Sequence, residues 1–181
     1  MDRALPQNVL DQISTTARLY ELPPALVIAI VMVESNGSPD AWRAEPAYRY
    51  VYDVLQRKPF VLSPGEAEQI RAPLVFPFIA GISSRDTEWL GQKSSWGPMQ
   101  VMGGVARELG YRGPFPGLCS WDEGIVHGCL HLVWLRDRFF GDGGWEAVAA
   151  AYNAGSPRRD QAGRFRNQSY VDMVRREGGF Q

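Results

Sequence analysis

"ALVIAIVMVESNG" (Ala25–Gly37) decides how the rest of the chain is read. Its residues up to Val33 are all apolar, so a helix through them is apolar on every side and belongs at the centre of a core. Pro23-Pro24 suits its first turn, and Asn36-Gly37 supplies a left-handed stop. Glu34 therefore sits in the last turn of a core helix. A carboxylate there loses hydration against the apolar surroundings and faces the negative end of its own helix dipole, two effects that favour the protonated form. A carboxylic acid that keeps its proton near neutral pH is what general-acid cleavage of an acetal requires. The plain alternative is a Glu34 that turns out into solvent where the helix ends.

Helical periodicity continues on both sides of this segment. Val9, Ile13 and Ala17 mark one face of a preceding helix. Asp40 to Ser95 is the least regular span, because Pro46, Pro59, Pro64, Pro73 and Pro77 divide it, and loops are expected there. Within it, Ser63, Pro64 and Glu66 read as the start of a short helix. "AYRYVYD" (Ala47–Asp53) reads as a small strand or a helix. From Pro98, the spacing of Met99, Met102, Val105, Ala106 and Leu109 predicts a helix ending at Gly110. Ser120 with Glu123 caps another that runs to Gly141. "WEAVAAAYNAG" (Trp145–Gly155) and Asn167 to Glu177 complete the set. The expectation is a mainly α chain, with little or no sheet, forming one domain over 1–181 with an irregular insertion at about 40–95.

The 181 residues are long enough to bury a core. A formal net charge of −1 offers no bulk attraction to nucleic acid or anionic lipid. The longest uncharged runs, Leu22 to Val33 and Pro73 to Ser84, fall well short of the ~20 apolar residues that span a bilayer. The N-terminal "MDRALPQNVLDQ" has no basic region leading into an apolar one, so no Sec signal is expected. Partners are therefore expected to be neither nucleic acid nor membrane, and a monomer is the default.

His127 and His131 stand four apart on a helix, a spacing at which two imidazoles can share a metal. "GCL" between them lacks the Glu of a zincin helix and no third ligand is evident, so surface or core histidines are expected, without metal or cofactor. Cys119 and Cys129 are too few for a disulfide scaffold and read as partly buried thiols, a single bridge being the other option. The aromatic residues, 12% of the chain, furnish a core and leave rings for a groove that stacks on sugar or base faces.

"SSWGPMQVM" (Ser94–Met102) and "AAAYNAGSP" (Ala149–Pro157) each place an amide, Gln100 and Asn153, beside a helix end where backbone groups can meet a ligand. With "ES" at Glu34-Ser35 and the later "NQSYVDMV", their order and spacing resemble the signature of the family 1 (Slt-type) lytic transglycosylases. The likeness covers the chain from about Pro24 to Val174, except the 40–95 insertion. Where the family usually has Gly-Leu-Met-Gln, this chain has Gly97-Pro98-Met99-Gln100. "EPAYRY" and "SWGPMQVMG" look like the forms found in phage or prophage enzymes that open the cell wall.

The resemblance implies a lysozyme-like fold and cleavage of the MurNAc-β-1,4-GlcNAc bond of peptidoglycan, leaving a 1,6-anhydro-MurNAc end. It makes Glu34 the catalytic acid and then base, and Ser35, Gln100 and Asn153 glycan-binding. Tyr152 and Tyr170 become the aromatic neighbours of Glu34, and Met99 part of the groove floor or the core. Trp96, Tyr48 and Tyr50 are groove candidates by position. The bacterial cell wall is the implied place of action, reached by phage lysis, from a virion or by export outside Sec. Two rivals share the signature. A hydrolytic muramidase would need Asp40, Glu45 or Asp53 to activate water opposite Glu34. A peptidoglycan-binding virion protein would grip without cutting.

Overall fold

The computed structural model describes residues 4–63 and 65–181. Helices hold 50% of the described residues and strands 9%, so the protein is mainly helical with a small amount of sheet. The chain divides into two compact units. One comprises the described residues up to Gly37 together with Gly128–Gln181, and the other is Ser38–His127.

In the first unit, α1 (Gln7–Leu19) and α2 (Pro24–Ser35) pack together, and α7 (Gln168–Arg176) packs on both α2 and α6 (Gly144–Ala154). Leu26, Val27, Ala29, Ile30 and Val31 of α2 have no exposed surface, as expected of a helix apolar all round. Pro24 opens α2, and Asn36 closes it in the left-handed conformation at φ 51°. A Cβ on Gly179 would stand 2.9 Å from that of Ala29, so the C-terminal turn closes directly on α2. Ala147, Ala150, Phe165 and Val171 form a second part of this core.

The second unit carries the sheets. β1 (Trp42–Ala44), β4 (Ser94–Trp96) and β5 (Val101–Met102) form an antiparallel sheet in the order β1-β4-β5, with Trp42 opposite Trp96. β2 (Val51–Asp53) and β3 (Lys58–Phe60) make a hairpin, so the strand reading of "AYRYVYD" holds only for its last three residues. Expected loops over 40–95 give way in part to α3 (Arg85–Gln92), whose N-cap Ser84 accepts from the Thr87 amide. The short helix expected after Ser63 is a single 3-10 turn at Glu66–Glu68; Pro64 lies outside the described residues.

The helix expected from Pro98 begins five residues later, as α4 (Gly103–Glu108). Gly97 (φ 74°) and Gln100 (φ 48°) are both left-handed, which no helix through them permits. A Cβ at Gly97 would fall 2.0 Å from the Leu118 carbonyl oxygen, so only glycine fits.

At the centre of the second unit, Arg107 Nε donates to Glu88 Oε1 at 2.8 Å, with both side chains at zero exposure. Gln92 joins this pair to β2 by donating to Glu88 Oε1 and to the Tyr52 carbonyl and by accepting from the Tyr52 amide. Every hydrogen-bonding group of that amide points inward, which binds hairpin and helices into one body. α5 (Trp121–Phe139) starts in this unit, with Ser120 Oγ accepting from the Glu123 amide as its sequence predicts.

Candidate active site

Glu34 is half-buried in the last turn of α2. The Tyr170 hydroxyl donates to its Oε1 at 2.7 Å. The bond fixes the carboxyl's rotamer from a helix that already packs on α2. Tyr170 is 5% exposed; burial first, and then the Glu34 charge, raise its phenol well above the ordinary range. Tyr152 of α6 is also buried, and its phenol is raised by burial, by Glu34 and by Cys129, in that order. Both phenols stay neutral around neutral pH, so they donate hydrogen bonds and take no proton in their own right. The expected trio of Glu34, Tyr152 and Tyr170 is thus brought together.

Behind Tyr152 stands His131 of α5, with ring centroids 4.9 Å apart at 39°. Burial lowers the His131 imidazole to about 4, and its Nδ1 is a buried atom with no hydrogen-bond partner. A neutral His131 is therefore part of the wall against which Tyr152 packs.

Ser35 Oγ donates to the Val31 carbonyl at 3.0 Å, so its hydrogen is engaged within α2. The exposed Asn153 at the end of α6 accepts at Oδ1 from Asn167 Nδ2, which also donates to the Ala150 carbonyl. Asn167 was not singled out in the sequence. It is the N-cap residue of α7, yet its side chain leaves its own helix uncapped and instead fastens the start of α7 to the end of α6. The Tyr170 amide donates to the Asn167 carbonyl, so this clasp sets where Tyr170 begins its reach to Glu34.

Met99 and Gln100 belong to the second unit. Met99 has no exposed surface, which resolves its two expected roles in favour of core packing. Both N–H groups of Gln100 are engaged, with the Ala41 and Gly97 carbonyls at 2.9 Å each, and its Oε1 accepts from Ser95 Oγ at 2.8 Å. Gln100 thus ties its own turn to the chain just before β1, and one acceptor lone pair remains for any ligand.

Tyr48 and Tyr50 face Glu108: burial raises both phenols, and Tyr50 donates to that carboxylate. Trp96 is stacked between Trp42 and Phe115. Asp53, one of the three carboxylates that a muramidase could use, is buried, and its Oδ1 accepts from the Leu55 and Gln56 amides to build the hairpin turn. Glu45 pairs with Arg43, and Asp40 is exposed.

Cys119 and Cys129 are free thiols, the second pushed up to about 12 by burial. His127 is held by the Glu123 carbonyl at 2.9 Å and by the Tyr111 ring. Among the described residues, no three His, Cys, Asp or Glu side chains gather as metal ligands, and no helix is long and apolar enough to cross a membrane. No protein-family model, curated protein or solved structure matches the chain.

Proposed function

We propose that this protein is a peptidoglycan lytic transglycosylase of lysozyme-like fold, acting on glycan strands of the bacterial cell wall with Glu34 as acid and then base. The observation that carries the reading is the Glu34 carboxyl at the end of an all-apolar helix, held by the Tyr170 hydroxyl at 2.7 Å and flanked by buried Tyr152. In the proposed reaction Glu34 protonates the glycosidic oxygen between MurNAc and GlcNAc. The carboxylate then takes the proton from the muramyl 6-hydroxyl as that oxygen closes on C1. Attack from a hydroxyl tethered to the same ring gains from being intramolecular, so no second protein carboxylate is needed to activate water.

Within this reading Tyr170 and Tyr152 hold and partly desolvate Glu34, while Asn153, oriented by Asn167, offers its amide to the acetamido or hydroxyl groups of the glycan. Ser35 places a hydroxyl next to the acid. Gln100 serves chiefly to shape its turn. No metal or cofactor takes part. The test is turbidity clearing of purified cell walls by the intact chain and by Glu34→Gln. Clearing by the first and a fall of at least about 100-fold in the second are expected, the range over which positioned acid–base groups act. A Glu34→Gln protein that folds and clears walls at the parent rate would refute the assignment.

A further inference from the structure

In the second unit, Trp42, Trp96 and Phe115 form a row of nearly parallel rings. Trp42 and Trp96 have centroids 5.9 Å apart at 19°, and Trp96 and Phe115 5.8 Å apart at 16°. The inner end is anchored: Arg107 lies 4.1 Å from the Phe115 centroid and is paired with Glu88 in the core. The Trp96 indole N–H donates to the Gly91 carbonyl, which fixes the middle ring. The outer end is open, with Trp42 63% exposed. Beside the row lies a cavity of about 260 Å³, with Leu90 (50% exposed) and Ile82 (41% exposed) also lining it. Exposed apolar side chains that converge on one concavity mark a binding surface.

The lining also defines the ligand. Its one charged residue, Arg107, is neutralised by Glu88, so the pocket favours a neutral occupant. Ser83 and Ser94 spend their hydrogens on Glu88 and the Leu90 carbonyl, leaving hydroxyl oxygens that accept from a ligand's O–H or N–H. The volume is below the ~300 Å³ at which pockets for drug-sized ligands begin, which suits one ring and not an extended strand. A neutral ring with one flat C–H face and a polar edge is a pyranose.

We propose that the Trp42–Trp96–Phe115 row is a stacking subsite for a neutral N-acetylhexosamine ring. For the class of its ligand the inference rests on the glycan-strand reading above. Trp42 supplies the stacking face, Trp96 and Phe115 hold that face in place, and the cavity that Trp42 lines takes the ring with its acetamido group inward.

The test is titration with N-acetylchitotetraose, followed by calorimetry and by tryptophan fluorescence. Trp42→Ala should weaken binding about tenfold or more, and Trp42→Tyr should retain most of it, since stacking and area are both lost in the first and largely kept in the second. On the unaltered protein, saturating tetrasaccharide should shield the exposed indole from acrylamide quenching, a readout that does not depend on a variant folding. Equal affinity of wild type and Trp42→Ala, no detectable binding by wild type, or unchanged quenching would each overturn the proposal. So would concentration-dependent dimers lost in Trp42→Ala with no response to sugar, which would make the face a self-association surface. Wall clearing that depends on Glu34 alongside Trp42-independent binding sinks this inference alone. Trp42-dependent binding without any Glu34-dependent clearing sinks the catalytic reading alone.

Discussion

Tyr170 Oη and Glu34 Oε1, 136 residues apart in sequence, stand 2.7 Å from each other, so the last helix of the chain holds the carboxyl presented by the second. Tyr170→Phe removes this bond and little else. Such a bond contributes about 0.5–1.5 kcal/mol when the carboxyl is protonated and about 1.5–3 kcal/mol when it is charged, so the variant should fold and lose about threefold to 100-fold in clearing rate, chiefly in kcat. A Tyr170→Phe protein that clears walls with parental kinetics would show that the carboxyl needs no such clamp.

Tyr152 packs its buried ring on His131 and lies within electrostatic reach of Glu34. Tyr152→Ala should cost about 3–5 kcal/mol of stability and most of the activity, whereas Tyr152→Phe should keep the fold and a larger share of the rate. The order of the two variants in melting temperature and in clearing is the check; a reversed order would remove Tyr152 from the site.

The Glu88–Arg107 pair is buried on both sides, so its halves are not separable. Glu88→Ala leaves a guanidinium in the core with its charge uncompensated and should destabilise by about 3–5 kcal/mol in urea unfolding. Glu88→Gln, which keeps the hydrogen-bond geometry without the charge, should fall between that variant and the parent. Equal stability of all three would mean the network does not hold the second unit together.

His131 gives stability a pH dependence whose sign is fixed. Burial lowers its pKa to about 4 from a usual 6.5, so between those values the unfolded chain binds a proton that the folded chain refuses. Stability is full above about pH 6.5, declines as pH falls toward about 4, and takes no further loss from this group below that. Discounted for partial solvent access, the effect is about 1–3 kcal/mol. His131→Phe, which cannot titrate, should lose less stability than the parent between pH 6.5 and 4; parallel curves would contradict a buried neutral imidazole.

Helices whose cause is local were legible. The apolar run of α2, the Asn36 stop and the Ser120 cap all appear where the residues put them. The segment from Pro98 was misread because its apolar spacing matches a helix, while a contact 59 residues away, from Gln100 to the Ala41 carbonyl, holds it in a left-handed turn. The same tertiary origin hid the short pairings of β1, β4 and β5, which carry too few residues to show a period, whereas the Asp53 turn is local, its Oδ1 accepting from the amides two and three residues on. α3 was readable in principle, since Ser84 is followed by Asp86 and Glu88 in the first turn, but the surrounding prolines obscured it. Glu34 stood out by its own context; Tyr152 and Tyr170 were reached through the motif resemblance. Asn167 had only the signal of an amide just ahead of a helix, which points to a cap and not to the clasp on α6 that it forms.

The central claim is that Glu34 alone drives an intramolecular closure, and the mass of the product tests it. Purified peptidoglycan digested with the intact chain and with Glu34→Gln, and resolved by muropeptide mass spectrometry, should give fragments ending in 1,6-anhydro-MurNAc, one water lighter than reducing ends, from the first and none from the second. Ordinary reducing ends, or anhydro ends that persist in Glu34→Gln, would contradict it.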